Sequence, residues 1–159
     1  MSEAGIGRNA ISWSLTNVTI PRNSIKAESI PYAGGHYYVS SHTKTPYDAL
    51  QIEFKIDNKY ANYFTIYEWM NLIYNEKAGH YNADKITNKI GTDAYATNIA
   101  VVGTDEYNKP AIQWTFTRAF PVEIPSIKLD YQSTEEITCS CTFMFSQMYI
   151  KNFALTSES

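Results

Sequence analysis

The residues most able to do chemistry in this 159-residue chain are its two cysteines, Cys139 and Cys141, set two apart in ITCSCTFMF. On a strand, positions i and i+2 share a face, so both thiols fall on the apolar side of Ile137, Phe143 and Phe145. A reactive cysteine needs a partly exposed, electropositive setting, and no Lys or His flanks the pair. Their spacing is too local for an ordinary structural disulfide, and two thiols fall short of a zinc ligand set. They read as small core hydrophobes. The three histidines, His36, His42 and His80, form neither H-x-H nor H-x-x-x-H. No carboxylate stands at a ligand-like spacing from them, so no metal site is expected. Glu135 and Glu136 are adjacent, and neighbours on a strand point to opposite faces; a solvated turn suits them better than paired acid–base work. G-x-S-x-G, G-x-x-x-x-G-K-[ST] and G-x-G-x-x-G are all absent, and Gly5-Ile6-Gly7 is an isolated fragment. The reactive side chains do not converge, and neither an enzyme nor a cofactor is expected.

Composition narrows the classes further. Thirteen Lys and Arg against 16 Asp and Glu give a formal charge of −3, with no basic run. That argues against tight nucleic-acid binding; a mildly acidic protein repels phosphate, so DNA could pass it without adhering. Charged residues are 18% of the chain and there are 13 tyrosines, against about 25% charged in an average globular protein. Tyr-rich, charge-poor surfaces suit protein–protein contact. Tyr is also simply a good strand former, and composition alone leaves both readings open. MSEAGIGRNAISW has no basic n-region followed by an apolar h-region, and no apolar run approaches the roughly 18 residues of a membrane helix. A soluble chain without a membrane anchor, made in the cytoplasm, is expected. The length suits one domain over 1–159, with 1–8 and 151–159 loose.

The elements follow from periodicity. Leu50, Ile52, Phe54 and Ile56 alternate with Gln51, Glu53, Lys55 and Asp57, the pattern of a half-buried strand. The pattern changes at Asn58. Ile66, Trp69, Met70 and Ile73 then fall at i, i+3, i+4 and i+7, predicting one helix over about 62–77, capped by Asn62 and stopped by Gly79. In Ile11–Ile20 the apolar parity slips by one, which places a bulge or a bend near Asn17. Ile25–Ile30, Tyr37–Ser41 and Asn98–Gly103 read as short strands. Ala33–Tyr47 forms a long excursion punctuated by Gly34-Gly35 and Pro46. Ile112, Trp114 and Phe116 alternate until Arg118 breaks the apolar face, where the strand is expected to emerge. Val122–Ile124 is a short strand bent by Pro125, with Ile127, Leu129 and Tyr131 continuing it. Ile137, Cys139, Cys141, Phe143 and Phe145 then oppose Thr138, Ser140, Thr142, Met144 and Ser146. Gly79–Thr97 is a long polar loop without an assigned role. The sum is a mainly β protein: an antiparallel β-sandwich or barrel with one flanking α-helix. Trp69, Trp114, Cys139, Cys141, Phe143 and Phe145 are its expected core. Two classes fit these residues, a self-assembling structural protein and a carbohydrate-binding β-sandwich that uses Tyr32, Tyr37, Tyr38 and Tyr81.

Two blocks carry a resemblance. LQIEFKIDNKYANYFTIYEWMNLI (Leu50–Ile73) is an alternating strand ending F-x-I-D, a few polar residues, then a helix with a central Trp. FPVEIPSIKLDYQSTEEITCSCTFMF (Phe120–Phe145) is a Pro-bounded strand, an acidic turn and an alternating final strand. Together they resemble the tail tube proteins of contractile-tailed bacteriophages, related to the inner tubes of contractile injection systems and type VI secretion. The resemblance implies a virion tail protein that forms hexameric rings stacked into the inner tube. Its partners would be other copies of itself, with sheath, baseplate and tape-measure proteins, and DNA would pass through without specific binding. It implies inter-ring contacts in the long excursion, at Tyr37, Tyr38 and His42, and a lumen-facing row at Thr138, Ser140 and Thr142. The short leader and the Gly79–Thr97 loop depart from the pattern, so a baseplate tube initiator, a tail terminator or a contractile injection system tube stays open beside the tail tube itself.

Overall fold

The computed structural model describes residues 14–75, 77, 79–81, 95–130 and 135–153. Its centre is a six-stranded antiparallel sheet. Strand β1 (Leu15–Thr19) pairs with β4 (Leu50–Lys55), β4 with β9 (Thr138–Met144), β9 with β8 (Pro110–Glu123), and β8 with both β10 (Gln147–Asn152) and β7 (Thr97–Thr104). β2 (Ile25–Tyr32) and β3 (Gly35–Lys44) form a separate hairpin, and β5 (Tyr74–Asn75) pairs with β6 (His80–Tyr81). Among the described residues the long helix, α1, spans Ala61–Asn71.

Alternation sets the register. β4 buries Leu50, Ile52 and Phe54, and β9 buries Cys139, Cys141 and Phe143. The pairs Leu50↔Phe143, Ile52↔Cys141 and Phe54↔Cys139 put all six on one face. Ile66 of α1 and Phe116 and Ala119 of β8 close the core over that face. Trp69 stacks beside Phe143 with ring centroids 5.7 Å apart and donates its indole N–H to the Tyr95 carbonyl at 2.6 Å. Trp69, Trp114 and Phe145 are partly buried and pack against the core rather than inside it.

The sheet curls because two strands bend together. β8 does not end at Arg118, where emergence was expected. Arg118 adopts a left-handed conformation (φ 51°), and its N–H is held by the Asn98 side-chain oxygen at 3.3 Å. One residue is thereby added opposite β7, whose pairs pass from Ile99↔Phe116 to Thr97↔Ala119. The buried parity moves from Phe116 to Ala119 and Pro121, as a bulge requires. On the other side of β8, β9 and β10 form a nearly continuous track, interrupted only at Phe145–Ser146, where Ser146 N–H bonds the Thr117 carbonyl. Both tracks therefore bend at the same level, giving a half-barrel. In β1 the register shifts between Leu15 and Asn17, the place where the sequence parity slips.

Several expected boundaries change. The helix ends at Asn71, short of the expected 77, because Tyr74–Asn75 turns into a strand pair with His80–Tyr81. Asn62 does not cap it. The N-cap is Tyr60 (φ 55°), and the Asp57 carboxylate accepts from the N–H groups of Ala61 (2.8 Å) and Lys59 (3.2 Å). Asn62 lies fully buried inside the first turn; its amide N–H donates to the Lys55 carbonyl at 2.6 Å and to the Ser14 hydroxyl at 3.0 Å. Val122 belongs to the end of β8, and Ile127 and Leu129 lie outside any strand. Leu129 is exposed; Tyr131 is outside the described residues. Lys151 and Asn152, expected in a loose tail, pair with Gln113 and Ile112. Most of the Gly79–Thr97 loop also lies outside the described residues.

Candidate assembly surfaces

Three surfaces remain after the core is subtracted. The first is the polar face of β1, β4 and β9. Thr138 and Ser140 are exposed and Thr142 half-buried, alternating with the buried Cys139, Cys141 and Phe143. Across the strands they continue into rows: Lys55 beside Thr138, Glu53 beside Ser140, and Gln51 beside Thr142, with Asn17 and Thr19 on β1 and Glu123 on β8 completing them. One face of this sheet is thus hydrocarbon and the other hydroxyl, amide and carboxylate.

The second surface is the β2–β3 hairpin. Ala33 and Gly34 both have positive φ (45° and 81°), the pattern of a two-residue type I′ turn whose twist matches the strands. All eight residues of β2 and eight of the ten in β3 are exposed, so the hairpin stands off the body as an arm. Pairing decides its faces. Ile30↔Tyr37, Glu28↔Val39 and Tyr32↔Gly35 share one side, while Ser29↔Tyr38, Pro31↔His36 and Ala27↔Ser40 share the other. Tyr37 and Tyr38 therefore point to opposite faces. Tyr37, 48% exposed, meets Tyr32 edge-on at 6.2 Å beside Ile30, making one side largely apolar; Tyr38, 75% exposed, stands on the more polar side. His42 is not part of either face. It sits in a bulge at the root (φ 57°), where its N–H bonds the Ser40 hydroxyl, while Ser41 donates to the Lys26 carbonyl at 2.7 Å. The root is clamped by Thr45 N–H to the Ser24 carbonyl, by Arg22–Asp48, and by Lys44 over the Tyr47 ring. Tyr47 in turn touches Phe145 at 5.1 Å, at the sheet's corner.

The third surface is a set of strand edges. Among the described residues, the outer edges of β1, β7 and β10 carry no neighbouring strand in the central sheet. Unpaired N–H and C=O rows of this kind invite another strand.

The cysteine pair does not form a reactive site. Both thiols are buried with Sγ atoms 3.7 Å apart. The hydrogen bond with the Cys139 sulfur, followed by burial, pushes the Cys141 thiol far above its ordinary range. No group of three or more His, Cys, Asp or Glu among the described residues is placed to hold a metal ion.

Among the described residues the chain is thus a half-barrel with one flanking helix, a polar sheet face, a long arm and three open strand edges. The phage tail tube protein family model matches residues 2–151. The chain belongs to that family. Among solved structures it is similar to the tube-terminating cap of the anti-feeding prophage (TM-score 0.60, 15% identity, covering 87% of this chain and 80% of that one). It is equally similar to a chain of the sheath–tube complex of the extracellular contractile injection system PVC in its extended state (0.60, 14%, 87% and 80%). The sheath/tube terminator of the same system gives 0.61 at 13% identity, covering 86% and 84%. Identities this low show a shared fold alone. No curated protein matches the chain. This tail tube protein is thus a structural component of a tail, and the mainly β architecture with one helix is that of tube subunits.

Proposed function

We propose that this tail tube protein closes into six-membered rings and that the rings stack into the inner tube through which the genome leaves. The observation that carries this is the two-sided β1–β4–β9 sheet. Its hydrocarbon face is filled by α1 and β8, its polar face is left to solvent, and among the described residues the outer edges of β1, β7 and β10 are unpaired. Pairing those edges between neighbours removes them by ring closure and turns the polar faces inward as a continuous wall. Thr138, Ser140 and Thr142 then face the channel, with Gln51, Glu53 and Glu123. Among the described residues of that face, hydroxyls, amides and carboxylates surround a single cation, Lys55, which is paired with Glu136. DNA would slide through without specific binding. The arm supplies the contact along the stack, and the surrounding proteins would be a sheath, a baseplate and a tape-measure protein. The role is structural, with no catalytic step. Family membership displaces the carbohydrate-binding reading, which rested on exposed aromatics alone.

Initiator and terminator remain the second reading, because a cap and a terminator share this fold at the same level of similarity as a tube chain. Electron microscopy of the concentrated protein separates the outcomes. Long hollow tubes of six-fold symmetry are expected. Single rings that never lengthen would point to a cap, and a monomer at every concentration and salt would sink the proposal.

A further inference from the structure

Cys139 and Cys141 lie where the fold can least spare a change of shape. Both are in β9, a strand paired on each side: Thr138–Phe143 run along β4, and Thr142–Met144 along β8. Their side chains, 2% and 0% exposed, pack in the cluster that Ile52, Phe54, Ile66 and Phe116 complete. The Sγ atoms are 3.7 Å apart, in hydrogen-bond contact, well beyond the length of a sulfur–sulfur bond, about 2 Å. Extended backbone keeps them from closing that gap. Two residues of strand advance roughly 6.6 Å, and side chains on one face stand nearly parallel, so the two Cβ atoms are about that far apart. A disulfide needs them at about 3.5–4.5 Å. Bringing them together means folding the chain at Ser140, whose neighbour across the ladder is Glu53. A kink there breaks the register of β9 with β4 in the middle of the core. An unfolded chain has no such restraint: one residue separates the thiols, and they meet fast.

We propose that Cys139 and Cys141 form a modification site of the unfolded chain: a local disulfide, made by exchange with a small-molecule disulfide, bars β9 from the sheet, and the folded core in turn shields both thiols from that exchange. One cysteine thiolate attacks the small disulfide, forming a mixed disulfide and expelling one small thiolate. The second cysteine thiolate attacks the cysteine sulfur of the mixed disulfide and expels the other. The cysteines lose two electrons and two protons, and the small disulfide gains both and leaves as two thiols. In the folded protein neither step has a route. Both sulfurs are out of solvent. The hydrogen bond with the Cys139 sulfur, followed by burial, also holds the Cys141 thiol far above its ordinary range, which keeps the nucleophilic thiolate scarce. Because β9 sits between β4 and β8, exposing it takes the sheet apart, and reactivity tracks the small population of unfolded chain. The pair thus gates folding by redox state. A reduced chain folds and stays reduced, while a chain oxidised first stays outside the fold. This holds for the single subunit, whatever it assembles into.

Oxidation of the full chain with one molar equivalent of dipyridyl disulfide, in buffer and in urea, tests both halves. In urea each chain should release two equivalents of thiopyridone and become lighter by two hydrogens. The native protein should release it more than about a thousandfold more slowly, a ratio set by the unfolded fraction. After dilution from urea the oxidised chain should show no cooperative unfolding transition, whereas the reduced chain recovers its own. Dithiothreitol added to the oxidised sample should restore the transition. The double variant Cys139→Ala/Cys141→Ala should refold with or without the reagent; if it does not fold at all, the unmodified chain and its recovery in dithiothreitol decide alone. An oxidised chain, two hydrogens lighter, that regains the reduced chain's transition would overturn the block. Native thiols consumed as fast as those in urea would overturn the shielding, and disulfide-linked dimers in place of the lighter monomer would overturn the local bond.

Discussion

At the residue scale, the chain shows how far side-chain type alone specifies place. Cys139, Cys141 and Phe143 are buried on the face that alternation assigns them, because a half-buried strand leaves little choice once one side is hydrocarbon. Phe143 is 3% exposed and lies between Leu50 and the Trp69 ring. Phe143→Ala should lower unfolding free energy by about 3–5 kcal/mol, read from denaturant titration; an unchanged midpoint would mean the cavity is filled at no cost and the core is misplaced. Gly103 makes the complementary case. A Cβ there would stand 2.9 Å from Ile112 Cγ2 and 3.3 Å from the Trp114 ring. Gly103→Ala should therefore destabilise by about 1–3 kcal/mol through overpacking, and a stabilised variant would contradict it. Nothing in the sequence marks Gly103 as a close approach, since the clash involves a strand paired across the turn.

At the element scale, what was legible follows burial. β4 could be read because every second residue is core. The helix could be placed by Ile66, Trp69 and Met70, but its start could not: Asn62 has the type of a cap, whereas the N-cap is the left-handed Tyr60 and the Asp57 carboxylate, three residues earlier, accepts from the Ala61 N–H. Backbone conformation, not side-chain type, decided that point. Arg118 was visible as a break, yet a break and a bulge look alike until the Asn98 partner is known. The arm was least legible, because among the described residues little buries it, so its side chains carry no core periodicity. Two expectations test these elements. Asn62→Ala strips the Lys55 carbonyl and the Ser14 hydroxyl of a buried donor and should cost about 1–3 kcal/mol, measured by thermal or chemical unfolding; no change would mean that water replaces the amide freely. Tyr37→Ser should leave monomer stability within about 0.5 kcal/mol, as exposed substitutions do, while weakening assembly. Tyr38→Ser, on the opposite side of the arm, should weaken assembly less. Equal losses from the two would erase the distinction between the arm's faces.

At the scale of the whole molecule, the sheet's two faces differ in burial and polarity. Folding uses the Cys139–Phe143 side, and removing its atoms destabilises the subunit. The Thr138–Ser140–Thr142 side can change without touching the core, because its side chains point away from it. If that side lines a channel, its accessibility depends on assembly and on probe size together. Ser140→Cys should fold and form tubes normally. In free subunits it should react with both a small maleimide and one bearing a polymer wider than the channel. In tubes the small reagent should still reach it, by diffusing along the lumen, while the bulky one should be excluded from all but the terminal rings. Phe64→Cys, on the exposed outer side of α1, should react with both reagents in either state. If intact tubes of the Ser140→Cys variant took up the polymer reagent to the same extent as those of Phe64→Cys, the polar face would lie on the outside, and the orientation proposed for every subunit in the ring would be reversed.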